Sequence, residues 1–181
     1  TSARHDVFSN EYRKKYPETF DNDLAENLIY TGSKKLTDPV EGVELNAGKL
    51  VLSPTRTYAP IIDKIFQNID RKSINGIIHC SGGAQTKVLN FIDNLHIIKD
   101  DLFEIPPLFN MIQGESGTNW REMYQVFNMG HRMEIYTHPN YASDIIEISK
   151  TVGIDAKIIG EVLKSEKKKL SIQSELGNFE Y

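Results

Sequence analysis

Three short segments hold the side chains best suited to chemistry. Ser53-Pro54-Thr55-Arg56-Thr57-Tyr58 sets hydroxyls and a guanidinium just ahead of a helix start. Free N–H groups and the positive end of the helix dipole favour an anion there, and arginine matches a phosphate or carboxylate. The plainer reading is a capping loop with a surface arginine. His79-Cys80-Ser81-Gly82-Gly83-Ala84 ends an apolar run with two glycines, which let the backbone turn sharply and approach a ligand. It lacks the spacing of a dinucleotide or P-loop motif. His79 there is placed to bond a substrate or move a proton; the alternative is a structural histidine beside a tight turn. Phe127-Asn128-Met129-Gly130 either aims the Asn128 amide into a cleft or simply closes a helix, since Asn and Gly both accept a left-handed backbone.

Other chemistries find little support. Cys80 is the single cysteine and reads as a small buried apolar group. No Ser–His–Asp or Cys–His–Asp order stands out. The five histidines show no H-x-x-x-H spacing, so no metal site is expected.

The elements that must position these segments follow from periodicity. Tyr58, Ile61, Ile62, Ile65, Phe66 and Ile69 form one apolar stripe, predicting a helix over about 59–69 with Pro60 in its first turn. Ile74–Cys80 reads as a buried strand. A short helix near Val88–Ile92 and a strand over 95–98 follow. Two helices are expected between about 106 and 127, the second capped by Asn119. The run 132–137 alternates as a half-buried strand, with Arg132, Glu134 and Tyr136 on one side. Asn140 is the expected cap of a helix carrying Tyr141, Ile145, Ile148 and Val152. Strands over 154–163 and 170–173 close the chain, with the charged run 164–169 as a solvated hairpin turn between them. Residues 1–50 show no clean period. This order predicts an α+β fold, a layered α/β/α domain with a mixed, largely antiparallel sheet.

The chain has 181 residues and a net charge of −4, which suits one domain, residues 1–181, and argues against a basic surface for nucleic acid. No run reaches the ~18 apolar residues of a membrane span, and no signal peptide opens it. With one cysteine, a reducing, cytoplasmic setting is expected.

Four motifs in order carry a resemblance. Pro54-Thr55-Arg56-Thr57-Tyr58, His79-Cys80-Ser81-Gly82-Gly83, Met123-Tyr124-Gln125-Val126-Phe127-Asn128-Met129-Gly130 and Ile159-Gly160-Glu161-Val162 resemble the P-T-R-x-Y, H-x-T-G-G-G, E-M-Y-x-x-F-N-x-G and I-G-x-[VI] patterns of the aminoimidazole ribonucleotide synthetase (phosphoribosylformylglycinamidine cyclo-ligase) family. The resemblance covers about residues 50–165, the C-terminal domain of that family. It departs at Ala84, where the family has a third glycine. It departs again at Gln85-Thr86-Lys87-Val88, where the family has F-x-E-N, and at His131-Arg132. Residues 1–50 match poorly and form a leading segment; 51–181 form the core.

The resemblance implies a ligase of purine biosynthesis. ATP phosphorylates the formamide oxygen of formylglycinamidine ribonucleotide, and the amidine nitrogen then closes the ring and expels phosphate. It implies His79 as a catalytic residue, and Thr55, Arg56, Ser81, Gly82, Gly83 and Asn128 as substrate-binding residues. ATP and Mg²⁺ are expected mainly on an N-terminal domain preceding Thr1, so the chain is read as an isolated, inactive C-terminal domain with no cofactor of its own. The expected partners are the ribonucleotide, that N-terminal domain and, for the parent, a second copy; nucleic acid and membrane are not expected. The alternatives are a related ATP-dependent enzyme with another substrate and a non-catalytic binding domain.

Overall fold

A computed structural model describes residues 2–53 and 56–181. In chain order the helices are α1 (Ser2–Val7), α2 (Glu11–Lys15), α3 (Ala47–Leu52), α4 (Ala59–Asn68), α5 (Pro107–Ser116), α6 (Trp120–Val126) and α7 (Ala142–Lys150). The strands are β1 (Ile74–His79), β2 (Leu95–Lys99), β3 (Met133–Thr137), β4 (Gly160–Lys164), β5 (Lys169–Ser174) and β6 (Gly177–Glu180). The fold is α+β, with mixed and antiparallel sheets.

Packing divides the chain into two compact units, and the boundary is not a single cut near residue 50. One unit draws on the described residues of 1–54 and on 105–123; the other draws on those of 55–104 and on 124–181. In the first, α1 packs on α5. Val7, Phe8, Tyr12, Ile29, Tyr30 and Ile112 are buried there. The unperiodic first fifty residues thus hold three short helices and still contribute a core.

The second unit contains two sheets. β1 and β3 pair antiparallel, with Ile77 opposite Ile135 and His79 opposite Met133. α4 and α7 cover this pair: Ile61, Ile65, Ile69 and Ile145 are buried together, with Ile74, Ile135 and Ile148 packed on them. The four-residue spacing of Ile61, Ile65 and Ile69 puts all three on one face of α4, and Pro60 stands in the first turn, where no N–H is needed.

The other sheet is four-stranded, in the order β4-β2-β5-β6. β2 runs antiparallel to β4 and parallel to β5, with Ile97 opposite both Val162 and Leu170. The expected hairpin across 164–169 is therefore not formed, because β2 lies between β4 and β5. The apolar run 95–98 needs partners on both edges, and these two strands supply them. Residues 151–159 are outside any strand, so the expected strand over 154–163 shortens to β4. Gly160 of the I-G motif sits opposite Lys99 at the start of β4; a Cβ there would fall on the carbonyl oxygen of Ile98, so only glycine lets the two backbones meet. The cap expected at Asn140 is supplied instead by His138, whose ring nitrogen accepts from the Asn140 N–H ahead of a 3₁₀ turn over Pro139–Tyr141.

Candidate functional site

β1 delivers the chain to the glycine turn. Its last residue, His79, is exposed, while Cys80 beyond it is buried. Gly82, Gly83 and Ala84 then take φ of 57°, 85° and 42°, three successive left-handed residues. Glycine adopts this freely, whereas Ala84 costs about 1–2 kcal/mol more. The position where the family pattern has its third glycine therefore keeps the glycine backbone under a buried methyl. The turn is pinned from two sides. The Lys87 ammonium donates to the carbonyls of His79 (3.0 Å) and Ser81 (2.9 Å). Beneath it lies Gln85, whose side chain has no exposed surface.

Gln85 leads into a buried polar joint. Lys99, at the end of β2, is 1% exposed and spends all three ammonium protons. They go to the Gln85 carbonyl (2.8 Å), the Gln85 side-chain oxygen (2.9 Å) and Glu134 Oε1 (2.5 Å). Glu134 Oε2 accepts from the Tyr136 hydroxyl at 2.6 Å. The Gln85 amide nitrogen in turn donates to the Asn128 carbonyl at 2.6 Å. One connected set of bonds thus joins the glycine turn, the 128–130 turn and the ends of the two sheets. Each buried side-chain polar atom of this set has a partner, as a low-dielectric interior demands.

The charges of the joint shape their neighbours. Burial, reinforced by the Glu134 carboxylate, pushes the Cys80 thiol up to about 12, so it is inert as a nucleophile near neutral pH. Burial also raises the Tyr136 phenol, again with Glu134 adding to it. His131 is lowered to about 4, first by burial and next by the Lys99 ammonium, against the pull of Glu134. Its Nε2 accepts from the Phe103 N–H at 3.0 Å, a bond that the neutral ring makes.

The residues singled out from sequence fare differently. Ser81, Gly82 and Gly83 form the turn, and Ser81 Oγ lies 3.3 Å from His79 Nδ1. His79 itself stands exposed at the end of β1. Asn128 is half-buried, and its side-chain oxygen accepts from the Gly130 N–H at 2.9 Å, so it serves its own turn, with Met129 at φ 52° and Gly130 at φ 97°. Arg56 is exposed and donates to the Gly153 carbonyl at 3.3 Å, beyond the end of α7. Thr55 lies outside the described residues. The structure therefore ties the turns at 81–84 and 128–130 together, and among the described residues Arg56 bonds instead to the Gly153 carbonyl.

Lys87, Gln85, Lys99, Glu134 and Tyr136 escaped the sequence reading. Glu134 and Tyr136 share one side of an alternating strand, and Lys99 follows directly on an apolar run. The available signal was an unmatched charge of each sign at the ends of two strands. Among the described residues, no group of three or more His, Cys, Asp or Glu side chains is placed to hold a metal ion.

No family profile matches the chain. Individual proteins do. Phosphoribosylformylglycinamidine cyclo-ligase of Syntrophus aciditrophicus is 30% identical over 159 residues, covering 82% of this chain and 43% of that protein. The chloroplastic enzyme of that name from Arabidopsis thaliana is 30% identical over 79% of this chain and 37% of its own length. That of Methanococcus vannielii reaches 35% over 66% of this chain and 34% of its own. The 82% coverage exceeds what residues 50–181 make up, so the similarity reaches back into the first fifty residues, where the motifs gave no sign of it. Among solved structures, E. coli HypE, a hydrogenase maturation protein, matches 72% of this chain and 41% of its own at 18% identity and a TM-score of 0.49, too slight a likeness to carry an argument. The chain belongs to the phosphoribosylformylglycinamidine cyclo-ligase family and spans about two-fifths of the length of the relatives it matches.

Proposed function

We propose that the chain is the C-terminal, substrate-closing part of an ATP-dependent cyclo-ligase that converts formylglycinamidine ribonucleotide to aminoimidazole ribonucleotide, releasing ADP and phosphate. The observation that carries this reading is the order and spacing of the four motifs in a chain related to enzymes of that name. In this reading the glycine turn and the 128–130 turn form the wall against which the ribonucleotide lies. Arg56 and Thr55 supply the anion contacts. His79, with Nδ1 beside the Ser81 hydroxyl, offers its other nitrogen to the formamide or amidine group. The ring closes when the amidine nitrogen attacks the phosphorylated formamide carbon and expels phosphate. In this reading, as the family resemblance implies, ATP and Mg²⁺ bind mainly to the N-terminal domain of a longer, cytoplasmic, homodimeric parent.

The test uses the parent enzyme. His79→Ala is expected to lower turnover by roughly 10²-fold, the scale for a positioned acid–base group, without moving the melting temperature. Unchanged turnover with a lowered melting temperature would assign His79 a structural role. A parent that releases no ADP with formylglycinamidine ribonucleotide would remove the whole reading. The Lys87 ammonium favours one second reading, a related ATP-dependent enzyme for a different substrate, since the family pattern has an acidic residue in that segment.

A further inference from the structure

We infer that Lys99 is a positioning residue: through Gln85, its buried ammonium fixes the turn at 128–130 against the glycine turn, and so sets the spacing of the two loops that meet the substrate. The function of those loops rests on the reading above; the mechanical link does not.

The argument is one of bond count. Gln85 follows directly on three left-handed residues. Lys99 grips this residue at both its carbonyl and its side-chain oxygen, which orients the amide plane, and the amide nitrogen donates to the Asn128 carbonyl. That same carbonyl accepts from the His131 N–H at 2.9 Å, closing the turn. Glu134 holds the ammonium in place and is itself held by Tyr136. A neutral or shorter side chain at 99 would leave the Gln85 amide free to rotate. The two turns would then be joined only through the pairing of β1 with β3 behind them, where the Cys80 N–H donates to the Arg132 carbonyl at 2.9 Å.

Apolar residues could fill this space at a comparable free energy, because a buried ion pair gains little over a packed apolar pair. The polar set therefore contributes direction more than stability: its hydrogen bonds fix one rotamer of Gln85, which packing alone does not do.

Amide hydrogen exchange on the 181-residue chain tests the link, read at Thr86, Gly130 and His131 with the α4 amides as reference. Two variants keep the test independent of a folding failure: Gln85→Met, which leaves the ion pair whole, and the paired change Lys99→Met with Glu134→Leu, which leaves no charge unpaired. Each is expected to speed exchange at Gly130 and His131 by about tenfold, the equivalent of one lost hydrogen bond, with α4 unchanged. Lys99→Arg, which keeps the charge, should restore most of the protection. Exchange that rises uniformly through the unit, or does not rise at the turns, would overturn the inference. In the parent enzyme the same variants should raise KM for the ribonucleotide about tenfold with little change in kcat; a fall in kcat alone would overturn the assignment of these loops to substrate spacing. A wild-type parent inactive on that substrate would sink the proposed function and leave the exchange result to decide the link.

Discussion

The second unit buries two groups of side chains of comparable size that answer to different rules. Under α4 and α7, Ile61, Ile65, Ile69 and Ile145 meet through dispersion and water exclusion alone, each worth about 1.5–3 kcal/mol of burial. Nothing there depends on direction, so a swap that keeps the volume is tolerated. In the joint at the sheet ends, Lys99, Gln85 and Glu134 are as deeply enclosed, with the half-buried Tyr136 beside them, but each member is worth what its partners make of it. Core losses scale with the atoms removed; joint losses depend on whether a charge is left alone.

Breaking the pair on one side gives the largest effect. Lys99→Met should cost about 4 kcal/mol, since Glu134 is left buried and unpaired. Adding Glu134→Leu should recover most of that, and urea denaturation of the single and double variants measures both. If the double variant is no better than the single one, the joint follows the rule of the core.

Ile65→Ala should cost about 3 kcal/mol and Ile65→Val about 1, a graded loss with methyl count, by the same measurement. An abrupt loss at valine would erase the distinction from the other side.

The joint should also respond to pH where the core cannot. His131 is depressed in the folded state to about 4 from an ordinary 6.5. Between those values the unfolded chain takes up a proton that the folded chain refuses. Stability present above pH 6.5 is therefore lost as pH falls towards 4, by up to about 3 kcal/mol. His131→Asn should flatten this part of the stability–pH curve relative to the wild type.

The smallest effect belongs to the surface. Asp101 faces the Lys157 ammonium with 70% of its side chain exposed, so Asp101→Asn should change stability by less than about 1 kcal/mol and less still in high salt.

The same division explains what was legible in the sequence. The isoleucine spacing in α4 announced both the helix and its buried face, because apolar burial repeats with the helix period. The glycine turn was legible as a bend, because Gly82 and Gly83 announce a left-handed backbone; that Ala84 shares it was not. The burial of Glu134 was not legible, because alternation in a strand tells two faces apart without saying whether the polar one meets water. The cation that makes its burial tolerable, Lys99, lies 35 residues away and is itself held by Gln85. The supposed hairpin across 164–169 failed for a related reason: a short charged link between strands says that the chain turns, and not that another strand has taken the place between them. The short helices of the first fifty residues left no period because none is long enough to show one.

The position of β2 also bears on how the chain reaches its fold. Its neighbours β4 and β5 are about sixty residues or more further along, so neither edge of β2 can be satisfied by local pairing. Contacts of that separation form late and slow the rate of folding. On the ribosome, β2 emerges long before residues 160–174 exist, an Ile-rich strand with both edges open. Lys99 travels at its end as a bare charge until the sheet assembles, a gatekeeper during synthesis that later becomes the hub of the finished unit.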